Sequence, residues 1–407
     1  MKRIRLSIVV ATICSALMLV WLPLASDFAK PAASPPATVK IGVLYEKTGP
    51  MAGSGKIVIW GFRKAIEDIN KDGGVYVKAF DKKIPLELVE GDQEGNDQKA
   101  ILRTQYLNEQ GVVALIGTTG FLPGGAGITE KNHLPSMAIL NGMTEPFEKG
   151  YRYLFRPYPG FDDASKVLSA LLDSLPKDQR PAKVALIEEQ HDFGITVCRH
   201  AERELNAHGY KTIKVKFPRF TKDLSAQILE MKAASGDVVY GATLLPDGML
   251  LMKQMKELGY NPKLVGLVEA ASNIGPWQSL GTVGDYVLSQ AGWHHAFKFP
   301  GCKEFTAASM AETGGPPHPN SGAAYTSIQI TAAAIERAGT LDREKVRDAI
   351  SAIDMMTISG RVKFRENGTP EMELGYVQWL KGKQVLIWPP NLREQAIVYP
   401  MKRWDQR

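Results

Sequence analysis

The sequence contains very little cysteine, with three residues in a chain of 407. Cys14 lies in an apolar stretch near the amino terminus, which leaves Cys198 and Cys302 for the rest of the chain. Two cysteines do not build the disulfide framework of a small secreted domain. An oxidising compartment would allow these two to pair, and two buried thiols are an equally good interpretation. The sequence leaves the choice open.

The sequence also lacks the short motifs that mark common enzyme sites. It has no G-x-S-x-G elbow, no P-loop and no G-x-G-x-x-G after a strand. Gly53-Ser54-Gly55 follows a turn and is too short to indicate a phosphate loop. His294 and His295 are the only adjacent histidines, and Cys198 and His200 are poorly spaced for a metal site. We therefore expect a protein that is not an enzyme and that holds neither a metal nor a cofactor.

Charge of one sign is not concentrated anywhere in the chain. The formal net charge is +6, and loss of a leader that carries Lys2, Arg3 and Arg5 lowers it to about +3. Blocks of like charge, which would indicate nucleic-acid binding, are absent from the sequence. We therefore expect no nucleic-acid partner.

The one long apolar run lies at the amino terminus. Basic residues precede an uncharged stretch over 6–24, and small residues follow at Ala25 and Ser26. This order is typical of a cleaved signal peptide, which we place at 1–26. The alternative is a retained membrane anchor, since the run is nearly long enough to span a bilayer. Pro23 and the Ala/Pro-rich stretch after the run favour cleavage, so we expect an exported protein.

Strand and helix patterns alternate along most of the chain. Apolar runs typical of strands recur near 39–43, 84–88, 112–116, 136–140, 184–187, 237–240 and 264–267. Segments with helical spacing lie between most of them, and one is expected over 167–175. Strands that alternate with helices predict doubly wound parallel sheets. Later, Gly339 and Asp342 separate two helical stretches as a stop and an N-cap.

The mature length predicts two lobes, because about 380 residues exceed what one hydrophobic core holds. We assign 38–160 and 291–359 to an N-terminal lobe. We assign 161–290 and 360–390 to a C-terminal lobe, followed by a tail over 391–407. A chain divided in this way crosses between its lobes repeatedly, so we expect a hinge made of several segments. The predicted fold class is α/β.

Two neighbouring predicted strands end in loops rich in glycine and threonine. The strand near 112–116 runs into the loop 117–121, and the strand near 136–140 runs into the loop 141–144. The carboxyl ends of neighbouring parallel strands form one side of a ligand crevice. Tyr45 follows the first strand and is a further candidate for the same crevice.

Several short motifs, taken in order, carry a resemblance to a known family. They are Ile41-Gly42-Val43, Thr48-Gly49-Pro50, Asp68-Ile69-Asn70, Gly73-Gly74-Val75, Phe155-Arg156, Asp192-Phe193-Gly194, Gly236 to Tyr240, Ala323-Ala324-Tyr325, Glu336 to Gly339 and Gly360 to Phe364. The chain resembles the branched-chain amino acid (Leu/Ile/Val) binding family of ABC-importer solute-binding proteins, which have the type I periplasmic-binding fold. The resemblance extends from about 39 to 389.

This resemblance implies a periplasmic receptor that closes two lobes on a small molecule and then docks on an ABC permease. We expect it to act as a monomer. The alternative is a periplasmic sensor that binds the same ligand and reports to a regulatory partner.

The resemblance also implies which residues contact the ligand. In the family, hydroxyl and amide groups of two loops hold the ligand's α-carboxylate, which here are Thr119, Gly120 and Phe121, and Asn141, Met143 and Thr144. Gly120 and Phe121 stand where the family usually has serines, and Thr119 would replace them as a hydroxyl donor. In the second lobe the family positions correspond to Phe193, Thr243 and Glu269, the last of which would pair with a ligand ammonium.

Each of these residues also has a purely structural interpretation. Phe121 and Phe193 would then be core aromatics, Glu269 a solvated charge or a helix N-cap, and Thr119 and Thr144 hydroxyls that satisfy turn backbone. The shift from tyrosine and serine toward phenylalanine and glycine favours an apolar pocket. The expected ligand is therefore either an amino acid or an aromatic or aliphatic carboxylic acid.

Overall fold

The computed structural model describes residues 34–122 and 124–407, so the signal peptide predicted at 1–26 lies outside the described residues. The first elements are β1 (Val39–Tyr45), α1 (Ala52–Lys71), β2 (Val75–Val77), β3 (Lys82–Ile84), β4 (Leu86–Asp92), α2 (Asp97–Glu109), β5 (Ala114–Gly117), α3 (Gly125–Lys131), β6 (Ser136–Ala138) and β7 (Leu154–Phe155). These elements build the first lobe.

The chain then forms a second lobe. Its elements are α4 (Phe161–Asp173), β8 (Lys183–Glu189), α5 (Asp192–Ala207), β9 (Lys211–Phe217), α6 (Ser225–Ala233), β10 (Val238–Ala242), α7 (Leu245–Glu257), β11 (Leu264–Leu267), α8 (Ile274–Gln278) and β12 (Val287–Ala291). The remaining elements are α9 (Cys302–Thr313), α10 (Pro319–Ala338), α11 (Arg343–Ser351), β13 (Asp354–Thr357), β14 (Gly360–Phe364), β15 (Pro370–Glu371), β16 (Gly375–Leu380) and β17 (Lys383–Trp388).

The first lobe contains a five-stranded sheet in the order β4-β1-β5-β6-β7, and every neighbouring pair is parallel. One face packs on α1, α10 and α11 through residues such as Val43, Phe62 and Ile328. The other face packs on α2 and α3 through residues such as Leu44 and Leu107. Because both faces are covered, the central strand β5 is apolar and buried along its whole length, whereas the edge strand β4 also carries Glu87, Glu90 and Asp92.

The second lobe contains a seven-stranded sheet in the order β17-β16-β12-β11-β10-β8-β9. Strands β12 to β9 in this order are parallel, whereas β16 and β17 are antiparallel. Met252 and Met255 of α7 are fully buried in one of its cores, with Met249 packed against them. Both lobes are therefore doubly wound α/β units, as the sequence predicts.

Three segments connect the lobes, at 156–160, 292–301 and 372–374. A hydrophobic cluster that includes Trp293, Phe305, Ile358 and Val377 packs around the second and third connections. The predicted hinge of several segments thus corresponds to three passages of the chain.

The structure moves one predicted boundary. We assigned residues from Gly360 onward to the second lobe, but β14 packs in the first-lobe core through Val362 and Phe364. The rings of Phe364 and Phe155 lie 5.2 Å apart. The chain returns to the second sheet only at Gly375. The tail over 391–407 also packs on the second lobe, where Met401 is buried.

Helix ends follow local side-chain chemistry. Asp342 caps α11 by accepting a hydrogen bond from the backbone N–H of Lys345 at 3.0 Å. Gly339 ends α10 with a left-handed φ of 64°, a conformation that glycine adopts without strain. Helix α4 begins at Phe161 rather than at the predicted 167, because Asp163 accepts a hydrogen bond from the N–H of Gly160.

Both described cysteines are buried free thiols in separate clusters. Cys198 packs in the second lobe and Cys302 in the cluster around the hinge, so the structure contains two thiols rather than a bridge between them. Within the residues that the structure describes, no helix is both long and apolar enough to cross a membrane.

Candidate functional site

A buried carboxylate lies at the carboxyl edge of the first sheet. Glu46 directly follows β1 and is only 1% exposed. Its carboxylate accepts hydrogen bonds from Gln93 Nε2 at 2.7 Å, from Thr118 Oγ1 at 3.0 Å and from Thr119 Oγ1 at 2.7 Å. These donors follow β4 and β5, so three neighbouring strand ends meet at one carboxylate. No Lys, Arg or His in the described chain forms an ion pair with Glu46.

The Glu46 cluster uses nearly all of its own hydrogen-bonding groups. Gln93 Nε2 also donates to Thr118 Oγ1 at 2.6 Å, so both of its hydrogens are used. Gln93 Oε1 has no partner among the described residues, although the side chain is fully buried. A Cβ at Gly120 would stand 3.0 Å from this oxygen. Gly120 therefore lets the backbone approach an unpaired acceptor.

Asn141 joins the loop after β6 to the same cluster. Its Nδ2 donates to the carbonyl oxygen of Thr119 at 3.3 Å, and its Oδ1 accepts from the N–H of Met143 at 3.1 Å. Leu140 has a φ of 58°, so the extended conformation ends before Asn141 and the loop turns over the strand ends. The structure therefore brings the predicted residues Thr119, Gly120 and Asn141 together, with Met143 beside them.

Thr144 connects the first lobe to α5 of the second lobe. Its Oγ1 lies 2.9 Å from Nε2 of His200, whose Nδ1 lies 3.2 Å from a guanidinium nitrogen of Arg203. Burial lowers the pKa of His200, which favours the neutral ring. Because Arg203 can only donate, Nδ1 accepts and Nε2–H donates to Thr144. Thr144 therefore keeps its own hydroxyl hydrogen.

A second pair of residues links the lobes beside Thr144. Glu145 of the first lobe forms a salt bridge with Arg199 of α5. Nearby, Phe161 at the start of α4 packs on Gly142, where a Cβ would stand 2.6 Å from the ring. The Phe161 ring in turn lies 5.4 Å from the ring of Phe193. The predicted residue Phe193 is partly buried, and it lies next to the point where the chain enters the second lobe.

Glu269 lies at the carboxyl edge of the second sheet, directly beyond β11. Burial raises the pKa of its carboxyl to about 7, against the opposing hydrogen bonds of Asn273 and Ser272. No cation of the described chain forms an ion pair with it. The neighbouring predicted residue Thr243 is fully buried, and its carbonyl oxygen accepts from the N–H of Ala270 at 3.1 Å. The hydroxyl of Thr243 has no described partner.

The environment of Tyr158 includes charged residues. It lies on the first connection between the lobes, and burial raises its pKa. Among the nearby charges, that of Arg156 lowers this pKa and that of Glu269 raises it. The Tyr158 hydroxyl is buried and has no hydrogen-bond partner among the described residues. We take the carboxyl edges of the two sheets, where Glu46 and Glu269 lie, as the two sides of the ligand cleft, since open α/β sheets bind ligands at that edge.

Two predicted residues lie away from this cleft. The Tyr45 hydroxyl donates to Glu90 at 2.7 Å on the side of the sheet that α1 covers, where Arg63 also binds Glu90. Phe121 is fully buried in the core under α2 and α3, and a Cβ at Gly117 would stand 2.4 Å from its ring. In this structure Tyr45 stabilises an ion-pair cluster and Phe121 fills a core.

A family model described as periplasmic binding protein matches residues 38–384 of this chain. The chain belongs to this family. The Leu/Ile/Val-binding protein homolog 7 of Brucella suis is 27% identical over 379 residues, which cover 88% of this chain and 93% of the relative. The homolog 8 of Brucella abortus is 26% identical over 376 residues, which cover 87% and 91%.

Several solved structures of other proteins have the same fold as this periplasmic binding protein. The leucine-binding protein LivK of Thermotoga maritima superposes with a TM-score of 0.75 at 20% identity, covering 87% of this chain and 99% of its own. LivJ of Streptococcus pneumoniae, solved with isoleucine, gives 0.74 at 19% identity and covers 89% and 100%. A solute-binding protein of R. palustris, solved with benzoate, gives 0.71 at 15% and covers 86% and 95%. The fold is that of the type I periplasmic binding proteins.

The family consists of periplasmic solute-binding proteins of the branched-chain amino acid type, and its members bind small molecules rather than catalyse reactions. This chain is accordingly a binding protein and not an enzyme. Two surface pockets of about 370 and 380 Å³ lie elsewhere, one beside Trp60 and Glu312 and one beside Met372 and Trp388. Neither is lined by the strand-end residues described above.

Sequence reasoning missed Glu46, Gln93 and Tyr158. Glu46 directly follows β1 and Gln93 directly follows β4, just as Thr118 directly follows β5. Applying the strand-end rule to every strand, rather than to two of them, would have found both. Tyr158 gave no such signal, because it lies on a connection between the lobes whose path depends on the tertiary structure.

Proposed function

We propose that this periplasmic binding protein is the substrate-binding component of an ABC importer. Its ligand would be a small organic molecule of the amino-acid type, bound between the two lobes. Glu269 would hold the ligand's ammonium group. The proposal also places the mature chain in the periplasm and gives it an ABC permease as partner.

The observation that carries this proposal is the state of Glu269. Its carboxyl group lies at a strand end in the cleft, has no cationic partner in the described chain, and has a pKa raised to about 7 by burial. A buried carboxyl without a counter-charge is costly to ionise. A ligand ammonium would supply that charge, which makes an amine-bearing ligand a better match than an acid without an amino group.

The proteins of similar fold do not distinguish an amine-bearing ligand from an acid without an amino group. One was solved with isoleucine and another with benzoate, so the same fold accommodates an amino acid and an aromatic acid. The choice therefore depends on side chains of this chain. Glu269 favours the amine, and the aromatic or aliphatic acid without an amine becomes the competing outcome of the test.

The mechanism we propose is closure about the three connecting segments. A ligand that contacts both lobes lowers the free energy of the arrangement in which both sets of contacts are made, so it shifts the population toward that arrangement. The Thr144–His200 contact and the Glu145–Arg199 salt bridge already join the lobes beside the cleft. The permease would then recognise the closed form.

The first experiment is a thermal-shift screen of the mature protein with two sets of compounds. One set contains aliphatic and aromatic amino acids and their amides, and the other contains their deaminated counterparts. A ligand at about 100 times its Kd stabilises the native state by about 2.7 kcal/mol, which corresponds to a Tm rise of about 3–4 °C for a protein of this size. We expect such a rise only from amine-bearing compounds.

Two variants make this screen specific for Glu269. Glu269→Gln removes the charge and keeps the shape, and we expect it to weaken amine binding by about tenfold or more. Glu257→Gln is the matched control, because Glu257 is exposed on α7 and lies outside the cleft. A Tm rise from deaminated acids alone, or full amine binding by Glu269→Gln, would contradict the proposed ligand class.

A further inference from the structure

We propose that the first-lobe side of the cleft binds a neutral or cationic N–H donor of the ligand, and that Glu46 sets this preference. The ligand would then be an amino-acid amide or a related amine, rather than a free amino acid. This inference rests on the proposed function, since it concerns the other end of the same ligand. It assigns Glu46 as a positioning residue that acts through Thr119.

The hydroxyl hydrogen of Thr119 is already used within the protein. Thr119 is exposed at the strand end, and its Oγ1 donates its only hydrogen to Glu46 at 2.7 Å. Its hydroxyl oxygen therefore offers the cleft lone pairs and no hydrogen. A ligand carboxylate, which only accepts hydrogen bonds, has nothing to bind at this oxygen, whereas a ligand N–H group does.

The neighbouring side chains have the same polarity. Thr118 also donates its hydroxyl hydrogen to Glu46, and Gln93 uses both amide hydrogens inside the cluster. The one unused atom of the cluster is Gln93 Oε1, a buried acceptor without a described partner, next to Gly120. Because Gln93 and Thr118 are fully buried, the exposed Thr119 is the side chain of this cluster that a ligand can reach, and it presents an acceptor.

The charge of Glu46 also favours an N–H group of the ligand over a carboxylate. Glu46 is stabilised by three neutral donors, and no cation of the described chain pairs with it. The nearest cationic residue in sequence, Lys47, is exposed and pairs with Glu90. Arg156 donates to the carbonyl oxygens of Met143 and Tyr158, and its Nη2, which has no hydrogen-bond partner among the described residues, lies 3.6 and 3.8 Å from carboxylate oxygens of Asp162 and Asp163. A ligand carboxylate beside Thr119 would thus lie next to the negative charge of Glu46, which pairs directly with no cation of the described chain.

The ligand class follows from both ends of the cleft. Glu269 in the second lobe suits an ammonium group, and the acceptors around Glu46 suit a second N–H group. An amino-acid amide has both groups and lacks the carboxylate that Glu46 would repel. Free amino acids have the first group only, so we expect them to bind more weakly than their amides.

The test compares each free amino acid with its amide by titration calorimetry at pH 7.5. L-Leucine against L-leucinamide and L-phenylalanine against L-phenylalaninamide are suitable pairs. We expect the wild-type protein to bind the amide at least about tenfold more tightly than the acid. Equal or tighter binding of the acid would overturn the inference. That result would give the selectivity to Thr144 and to the backbone N–H groups of Thr119 and Gly120.

Variants locate the cause of the preference. Glu46→Gln removes the charge and frees the Thr119 hydrogen, so the ratio of amide to acid affinity should fall to about threefold or less. Thr119→Val removes the acceptor at an exposed position, and it should weaken amide binding more than acid binding, so the ratio of the two affinities should fall. Glu90→Gln is the control, because this carboxylate ends the neighbouring strand but binds Tyr45 outside the cleft. A preference that survives in Glu46→Gln would overturn the assignment of Glu46.

Failure of this inference can be told apart from failure of the proposed function. If acids bind at least as tightly as amides and Glu269→Gln still weakens binding by about tenfold or more, the function stands and the Glu46 inference is wrong. If neither acids nor amides bind while deaminated compounds do, the ligand class is wrong and the inference fails with it.

Discussion

Two glutamates in the cleft have opposite relations to their surroundings. Glu46 has three hydrogen-bond donors and almost no exposed surface, so it is part of the framework. Glu269 has a raised pKa and no counter-charge among the described residues, so it is available to a ligand. The same residue type therefore has two roles, because a buried carboxylate is stable only where donors or a cation compensate its charge.

The raised pKa of Glu269 predicts a pH dependence of ligand binding. The free carboxyl has a pKa near 7, whereas a bound ammonium favours its ionised form, so binding expels a proton at lower pH. Affinity for an amine ligand should therefore fall by about tenfold per pH unit below 7 and level off above it. Calorimetric titrations at pH 5.5, 6.5, 7.5 and 8.5 measure this.

Glu269→Gln is the variant that isolates this dependence. It binds more weakly, and its affinity should be nearly independent of pH over the same range. For the ligand-free protein the pH dependence concerns the free energy of unfolding, and it has the opposite sign to that of the affinity. Because the folded-state pKa of Glu269 is above the unfolded value of 4.5, its contribution to stability is present below pH 4.5 and is lost as the pH rises through 7. A wild-type affinity that does not change from pH 5.5 to 8.5 would contradict the role of Glu269.

The sequence predicted the position of Thr119 but not the direction of its hydrogen bond. A strand-end threonine is visible in a sequence, whereas its acceptor Glu46 lies 73 positions away along the chain. The two meet only because β1 and β5 are neighbours in the sheet. Thr119 was therefore expected as a donor to the ligand, and the structure gives its hydrogen to Glu46.

At the scale of helices and strands, the sequence was most informative where local chemistry decides. Helix α2 lies between two predicted strands, where helical spacing was expected, and it begins at Asp97 because Asn96 caps it by accepting from the N–H of Lys99. Strand β6 ends two residues earlier than predicted, since Leu140 has a positive φ. Phe121 could not be placed by pattern alone, because a loop aromatic can face either a core or a cleft.

The N-cap of α11 offers a prediction at the same scale. Asp342→Ala removes the acceptor for the N–H of Lys345, so the free energy of unfolding should fall by about 1 kcal/mol. Asp342→Ser is the matched control, since serine also caps helices and should restore most of the loss. Urea unfolding measures both variants. Ligand affinity should be unchanged, because α11 packs on the first-lobe core away from the strand ends. An unchanged stability in Asp342→Ala would show that the cap contributes nothing.

At the scale of the molecule, the sequence predicted two α/β lobes and a hinge of several segments. The sequence assigned 360–371 to the second lobe, whereas β14 packs in the first lobe. The sequence of a short antiparallel strand does not indicate which core the strand joins. Val362 and Phe364 are apolar in either lobe, and only their contact with the first-lobe core decides. Such long-range packing is the part of the fold that local patterns do not carry.

The central claim is that one ligand bridges the two lobes and brings them together. Small-angle X-ray scattering of the mature protein, with and without a saturating amine ligand from the screen, tests it most directly. The account predicts a smaller radius of gyration with ligand, and no such change when a deaminated analogue is added at the same concentration. A radius of gyration that is unchanged, while calorimetry shows saturated binding, would contradict closure of the lobes on the ligand.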